Sequence, residues 1–252
     1  MRTFVVNLKR NEERWKVFQQ NADRLGLQYE RFDAVDGYAL TPDQLPSFVD
    51  MRKARHLGYA LGRGEIGCAL SHAGIYHKIA DESIPYALIL EDDSLPAEIV
   101  PQLLEELPNF INAMDNFVVM LWDGRGRLDD LTKIHLPRTK LDMVRTHAPY
   151  STVAYIITYE AAKRLSLFLP PVVSVADSWK RFEDYGLVRI WQILPCVIKL
   201  TELGKMSTLT HHDPRVNNTI SKKIKRAFHQ RIIRYVENVR ASLYRKRMGY
   251  DL

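Results

Sequence analysis

Three adjacent carboxylates, Glu91, Asp92 and Asp93, end the apolar run of Tyr86–Leu95, YALILEDDSL. Like charges held this close repel one another and resist burial. A bound divalent cation relieves that repulsion, and hard carboxylate oxygens suit Mg2+ or Mn2+. An acidic, solvated turn that caps a helix near Ala97 is the plainer alternative, and these ten residues leave both open. The element that must position the triplet is Tyr86–Leu90, short, apolar and bounded upstream by Pro85. It fits a buried parallel strand better than a helix. Ligands of open α/β sheets sit beyond the carboxyl ends of strands, where the triplet falls.

The rest of the chain supplies a frame for that strand. Thr3–Leu8 predicts a strand and Arg14–Leu25 a helix, with Trp15, Phe18, Ala22 and Leu25 at helical spacing and Gly26 as the stop. Tyr29–Val35 returns as a strand, so the opening is βαβ and implies a parallel sheet. Leu40–Leu61, with Pro42 and Pro46, reads as an irregular excursion with short helices and room for a lid. Gly62–Glu82 opens on Gly62, Gly64 and Gly67 and continues as a helix. A helix over Ala97–Phe110 and a strand over Phe117–Leu121 follow the triplet, and Trp122–Asp130 reads as a glycine-punctuated loop. Val153–Thr158 is β-branched and apolar, a central strand. Glu160–Phe168 is a helix stopped by Pro170 and Pro171, and Cys196–Leu200 is a last short strand. The pattern is α/β.

At 252 residues, 46% hydrophobic and 26% charged, the chain has the make-up of a globular protein. No apolar stretch reaches the roughly 18 residues that a membrane span needs. The apolar start of MRTFVVNLKR is too short for a signal peptide and reads as the first strand. Cys68 and Cys196 lie far apart, so no disulfide framework is expected and a reducing cytoplasm fits. Residues 221–252 hold ten Lys or Arg against two acids, a net +8, which leaves −2 for residues 1–220. Ile224, Phe228, Ile232, Val236, Val239 and Leu243 recur there at helical steps, one stripe of an amphipathic helix with basic flanks. Such a helix suits an anionic membrane surface or packing on its own domain. Aromatic residues interleave it thinly and no nucleic-acid motif accompanies it, so nucleic acid is not an expected partner.

Four motifs in order carry a resemblance: VVNLKRNEERW (Val5–Trp15), ERFDAVDG (Glu30–Gly37), GEIGCALSHAGIY (Gly64–Tyr76) and ALILEDD (Ala87–Asp93). YSTVAYIITYEAAKRL (Tyr150–Leu165) adds a later strand–helix pair. Together these resemble glycosyltransferase family 25, the bacterial lipooligosaccharide galactosyltransferase group. The resemblance implies a GT-A-like Rossmann-type domain, expected over residues 1–215, and the charge and apolar stripe of the tail make residues 216–252 a basic amphipathic helical extension. It implies transfer with inversion from a UDP-sugar, most simply galactose from UDP-galactose, onto a lipid-linked lipopolysaccharide core sugar. Glucose or N-acetylhexosamine is the alternative donor sugar. A metal-dependent phosphohydrolase or a non-catalytic nucleotide-sugar-binding protein is the alternative class. The triplet stands where such enzymes carry a D-x-D motif for Mn2+ or Mg2+, here with Glu91 in the first acidic place.

On that reading Asp93 and Glu91 are expected metal ligands, with His211 in a late shell, and Asp92 contacts the metal or the donor. Strand alternation puts Glu91 and Asp93 on one side and Asp92 on the other. Asn7, Arg10 and Arg14 stand at a strand–loop–helix junction suited to the nucleotide, although Arg14 also fits a solvated helix face. Gly64, Glu65, Ser71 and His72 are expected donor contacts, with a helix-macrodipole position the alternative for Glu65 and a core position the alternative for His72. Inversion needs a general base. Asp177, beside Trp179 and Phe182 as an aromatic platform, is the first candidate and Asp123 the second, while capping a helix at Ser178 is the other role for Asp177. The lipid-linked acceptor places the protein in the cytoplasm, peripheral on the inner face of a bacterial inner membrane.

Overall fold

The computed structural model describes residues 1–205 and 220–250. The chain opens with β1 (Arg2–Asn7), α1 (Glu12–Arg24) and β2 (Glu30–Asp33), then the short helices α2 (Leu45–Phe48) and α3 (Met51–His56). The long α4 (Arg63–Asp81) leads into β3 (Tyr86–Glu91), β4 (Ser94–Pro96) and α5 (Val100–Glu106). The second half runs through β5 (Phe117–Met120), the hairpin β6 (Arg127–Leu136) and β7 (Leu141–His147), β8 (Ala154–Thr158), α6 (Tyr159–Phe168) and α7 (Trp179–Asp184). It closes with β9 (Arg189–Leu194), β10 (Ile198–Leu200), the single turn α8 (Glu202–Lys205) and α9 (Ile220–Met248).

Eight strands form one sheet in the order β2-β1-β3-β8-β5-β9-β7-β6. The pairs β1–β2, β1–β3 and β5–β9 are parallel, as the βαβ opening requires. The parallel sheet implied by the opening is interrupted at β8, which lies antiparallel between β3 and β5, and again at the β6–β7 hairpin. Part of that hairpin lies where a loop over Trp122–Asp130 is expected. Its first strand is solvent-facing and carries Asp129, Asp130 and Lys133 with a register shift between Asp129 and Ile134, so the apolar period is lost.

Helices cover both faces of the sheet, which is why the middles of β1, β3 and β8 are apolar on both sides. Along β3, Ala87 and Ile89 join one core with Ile75, Tyr76 and Ile79 of α4, while Leu88 and Leu90 join the other with Phe18 and Ala22 of α1. Each buried Leu, Ile or Phe among them contributes about 1.5–3 kcal/mol by leaving water. The Leu40–Leu61 excursion has a small core of its own, in which Val49, Ala54 and Leu61 meet Ile66, Ala69 and Val172. Val49 bridges Val172 in parallel, and Val172 N–H donates to Phe48 O at 2.8 Å, so this segment is pinned rather than a free lid.

The second half of α9 packs on the domain, though not through its aliphatic stripe. Ala241 is buried, and Tyr244 stacks edge-on against Phe168 and Tyr185. Glu237 pairs with Arg181 and accepts the Tyr185 hydroxyl, Arg245 donates to the Asp184 carbonyl, and Arg164 lies 3.8 Å over the Tyr250 ring. Ile232, Val239 and Leu243 face outward and are exposed, together with Tyr235. The side chains of Ile224 and Phe228 lie outside the described residues, as does the 215/216 boundary expected between domain and extension.

Two glycines set the shape beside β1 and β2. A Cβ on Gly37 would stand 1.8 Å from the Arg63 carbonyl oxygen, and one on Gly67 would stand 2.5 Å from the Val35 oxygen. The loop after β2 thus lies backbone to backbone on the first turns of α4. Both obstacles are main chain, so no side chain can give way. Gly37→Ala is expected to destabilise the fold by roughly 1–3 kcal/mol, the scale of overpacking, read as a lower urea midpoint at unchanged slope.

Candidate active site

A cleft of about 180 Å3 opens at the carboxyl ends of β1 and β3. The acidic triplet lies at its base; the loop after β2, with Asp36 and Tyr38, and the first turns of α1 and α4, with Arg14 and Gly64, line it. The chain leaves the strand at Glu91 and turns at Asp92 and Asp93, so the three side chains take three directions.

Asp92 is buried and points to α1 and β1. Asn7, itself 1% exposed, donates Nδ2–H to Asp92 Oδ2 at 2.6 Å. Arg14 brings its guanidinium to Asp92 Oδ1 at 3.0 Å and to Asp93 Oδ2 at 3.4 Å, and donates to the Leu203 carbonyl at 3.2 Å. Its side chain is only 15% exposed, which rules out the solvated helix face. It also overrides the expected alternation, because one guanidinium reaches both Asp92 and Asp93. Asp93 is covered by Gly204, where a Cβ would fall 2.7 Å from Asp93 Cβ, and its carbonyl takes the Thr201 N–H at 2.8 Å.

Glu91 faces α4 and the start of β8. The Thr152 hydroxyl donates to Glu91 Oε1 at 2.5 Å, and His72 Nε2 lies 3.6 Å from the same oxygen. His72 stands behind Glu91, buried, with Nδ1 2.7 Å from the Tyr155 hydroxyl, so the core position weighed for it is where it sits. Ser71 lines the cleft but ties its walls together, taking the Val35 N–H at 2.8 Å and donating to Gly67 O at 2.6 Å. Glu65 accepts the Gly62 N–H at 2.7 Å and caps the start of α4, besides standing at its positive end. Arg10 is exposed and pairs with Asp36 beside the cleft.

Asp177 reaches the same neighbourhood through the backbone. Its Oδ2 accepts the Ser151 N–H at 2.9 Å, one residue before the Thr152 that grips Glu91. It is partly exposed and does not cap α7, whose N-cap Ser178 makes no side-chain cap bond. Trp179 and Phe182 are buried in the core, so they form no aromatic platform. Trp179 instead donates Nε1–H to Ser151 O at 2.8 Å, fixing the segment that Asp177 holds. Asp123 is exposed beyond β5 and spends Oδ1 on the Arg125 N–H at 2.9 Å. His211 lies outside the described residues. Sequence reasoning passed over Thr152, Asp36 and Cys68 as site residues. Asp36 lay within the quoted ERFDAVDG motif, whereas nothing in the local pattern marks Thr152.

The electrostatics follow from burial. Desolvation, reinforced by repulsion from Glu91, pushes the Asp93 carboxyl up to about 7. Desolvation also raises Asp92, against the Asn7 hydrogen bond and the Arg14 charge. Burial opposes ionisation of Glu91 as well, but His72, Thr152 and Arg14 together outweigh it and hold this carboxyl below its usual range. Asp93 Oδ1 and Asn7 Oδ1 are buried and have no hydrogen-bond partner. Buried oxygens without donors, two of the three carboxylates raised by burial and one arginine shared between two of them fit a hard divalent cation.

The Asp93 shift has a readable consequence. The folded protein keeps a proton on Asp93 up to about pH 7, while the unfolded chain has released it near 3.8. The folded state then binds more protons, and stability falls as pH rises through this window. Glu91, held low, changes stability only below pH 4.5. Metal-free protein should lose about 2 kcal/mol between pH 5 and 7, at up to about 1.4 kcal/mol per unit. Urea unfolding in chelator at both pH values measures it, and Asp93→Asn should flatten the dependence.

The chain matches the family model described as Glycosyltransferase family 25 (LPS biosynthesis protein) over residues 1–179. It is 31% identical over 176 residues to a Drosophila melanogaster protein named Glycosyltransferase 25 family member, covering 65% of this chain and 27% of that one. It is 27% identical over 167 residues to Procollagen galactosyltransferase 2 of Homo sapiens, covering 64% and 26%. The chain spans about a quarter of the length of these curated relatives. The family match runs from β1 into α7 and takes in the cleft, the acidic triplet and Asp177. The chain belongs to glycosyltransferase family 25.

Proposed function

We propose that this chain is a metal-dependent, inverting galactosyltransferase with a GT-A-like donor domain, moving galactose from UDP-galactose to a lipopolysaccharide core sugar. The acidic triplet at the base of the β1–β3 cleft, with a buried and unpartnered Asp93 oxygen, carries this reading. Galactose as donor sugar draws on the procollagen galactosyltransferase named above, and the acceptor class on the family's description. Glu91, Asp92 and Asp93 would hold Mn2+ or Mg2+, which when bound stabilises the charge that develops on the departing diphosphate.

The chain's own groups do the rest. Arg14 pairs with Asp92 and Asp93 and fixes them against α1, and Asn7 orients Asp92. Arg10 and Asp36 flank the cleft as polar contacts for the nucleotide. Asp177 takes the proton of the acceptor hydroxyl. The acceptor's hydroxyl oxygen then bonds to the anomeric carbon from the face opposite the leaving group, while the bond to UDP breaks and its electron pair leaves with UDP. A base in this position contributes roughly 10²–10⁴ in rate.

A UDP-release assay over a panel of nucleotide sugars, with a core oligosaccharide acceptor, tests the proposal. UDP-galactose should give acceptor-dependent release that EDTA abolishes and Mn2+ restores. Preference for glucose or N-acetylhexosamine would correct the donor, phosphate release without acceptor would mean a hydrolase, and binding without turnover a scaffold. Asp177→Asn should lower kcat by at least ~10² with KM for the donor nearly unchanged.

We also propose that the protein sits on the cytoplasmic face of the membrane that carries its acceptor. No helix among the described residues is long and apolar enough to cross a membrane. The outward stripe of α9, with Ile232, Val239 and Leu243 exposed beside Arg231, Arg234 and Arg240, suits an anionic surface instead. Each basic residue near an anionic leaflet contributes on the order of 1 kcal/mol. Because Tyr244 and Ala241 belong to the core, outward substitutions are the clean probe rather than truncation. Leu243→Asp should weaken binding to anionic liposomes in sedimentation without lowering Tm, and added salt should release the parent protein.

A further inference from the structure

We propose that Cys68, His72 and Glu91 form a binding site for one borderline-soft transition-metal ion, Zn2+ foremost, in the wall of the cleft. This inference is independent of the transferase reading. Cys68 and His72 are four residues apart on α4 and so share a face, and Glu91 ends the strand opposite it. One donor atom from each lies within 4.8 Å of the others. His72 Nε2 stands 3.6 Å from Glu91 Oε1. A tetrahedral ion with bonds of about 2.0 Å to nitrogen and oxygen sets those two atoms roughly 3.3 Å apart, so little movement is required.

A second observation points to a ligand. His72 is 1% exposed, and its Nε2 has no hydrogen-bond partner. A buried ring nitrogen without a partner is costly, and a metal bond satisfies it. The other ring nitrogen is already fixed. Nδ1 meets the Tyr155 hydroxyl at 2.7 Å, and that hydroxyl meets Tyr76 Oη at 2.9 Å. In the neutral tautomer with Nδ1–H donated to Tyr155 and Tyr155 O–H donated to Tyr76, Nε2 offers its lone pair on the Glu91 side, the arrangement a metal-binding histidine needs. Cys68 and Glu91 both line the cleft, which provides the entry path.

The donor set separates this site from the acidic triplet. Thiolate and imidazole favour Zn2+ over Mg2+ or Mn2+, whereas the Asp92 and Asp93 oxygens favour the hard ions. Binding converts the Cys68 thiol to thiolate and releases its proton to solvent, so one proton leaves per ion bound. Three protein ligands leave the fourth position to water. Because Glu91 belongs to both donor sets, an ion on α4 draws this carboxylate away from Asp93.

Co2+ serves as the visible stand-in for Zn2+. The full chain, stripped with chelator, should bind one equivalent of Co2+ and show a thiolate-to-cobalt charge-transfer band in the near ultraviolet, displaced by Zn2+. Cys68→Ser should remove the band, and His72→Gln should weaken Zn2+ binding at least ~10-fold. Zn2+ should also raise the Tm of the parent chain but not that of Cys68→Ser. The sequence has two cysteines, so Cys196→Ser leaves Cys68 as the only thiol and should keep the band, a control that stands even if Cys68→Ser fails to fold. No band, a band lost in Cys196→Ser, or Zn2+ bound without a thermal shift would overturn the site. None of these readouts depends on sugar transfer, so their failure leaves the proposed activity to its own test.

Discussion

Repulsion among three carboxylates within three consecutive residues is the constraint around which this end of the molecule is built. Left alone at the end of a buried strand, Glu91, Asp92 and Asp93 would carry a cost that neither burial nor backbone hydrogen bonding offsets. Each therefore turns a different way and meets a different group. Asp92 takes Asn7 and Arg14, Glu91 takes Thr152 and the His72 ring, and Asp93 shares Arg14 under the Gly204 backbone. These partners come from five parts of the chain, so the triplet draws α1, β1, α4, the start of β8 and the segment after β10 to one point.

The compensation is unequal, and the inequality carries chemical meaning. Glu91 is held ionised and Asp93 is pushed toward protonation, two neighbouring carboxylates with opposed tendencies set by their surroundings. Arg14 alone cannot balance three acids. The orphaned oxygens of Asp93 and Asn7 are the acceptors that a bound cation would satisfy. On the other side of Glu91 the Tyr76–Tyr155–His72 chain forms a polar thread through an otherwise apolar interior. Threads of that kind hold side-chain orientation tightly, because every alternative leaves a buried donor or acceptor unmatched.

Packing of α6 and α7 links the far end of the protein to this region. Trp179 is wedged beside Tyr155 and Phe182, and it holds Ser151 in place through its indole N–H. Arg181 and Glu183 on the same short helix reach α9 and β7. A helix of six residues could not persist alone. It is maintained by ion pairs and aromatic contacts on two sides, and Asp177, two residues before it, holds the Ser151 backbone next to Thr152.

The sequence by itself determined the βαβ opening, the buried apolar strand before the triplet, the long helix from Arg63 and the central place of Ala154–Thr158. Each is encoded locally, by an apolar period or a run between glycine and proline stops. It also marked the triplet and its neighbours at the end of β1, because an Asn inside VVNL and three acids after YALIL are conspicuous in any fold. The hairpin strand Arg127–Leu136 was illegible, since a solvent-facing strand with a register shift has no apolar alternation to read. The antiparallel turn of β8 and the pairing of Arg14 with two acids depend on residues far apart in the chain. So does the face that α9 buries, where aromatic and ion-pair contacts through Glu237, Ala241 and Tyr244 prevail over the aliphatic stripe. Tertiary structure decided these, because what a charge or a helix face meets is a property of the folded surface and not of spacing along the chain.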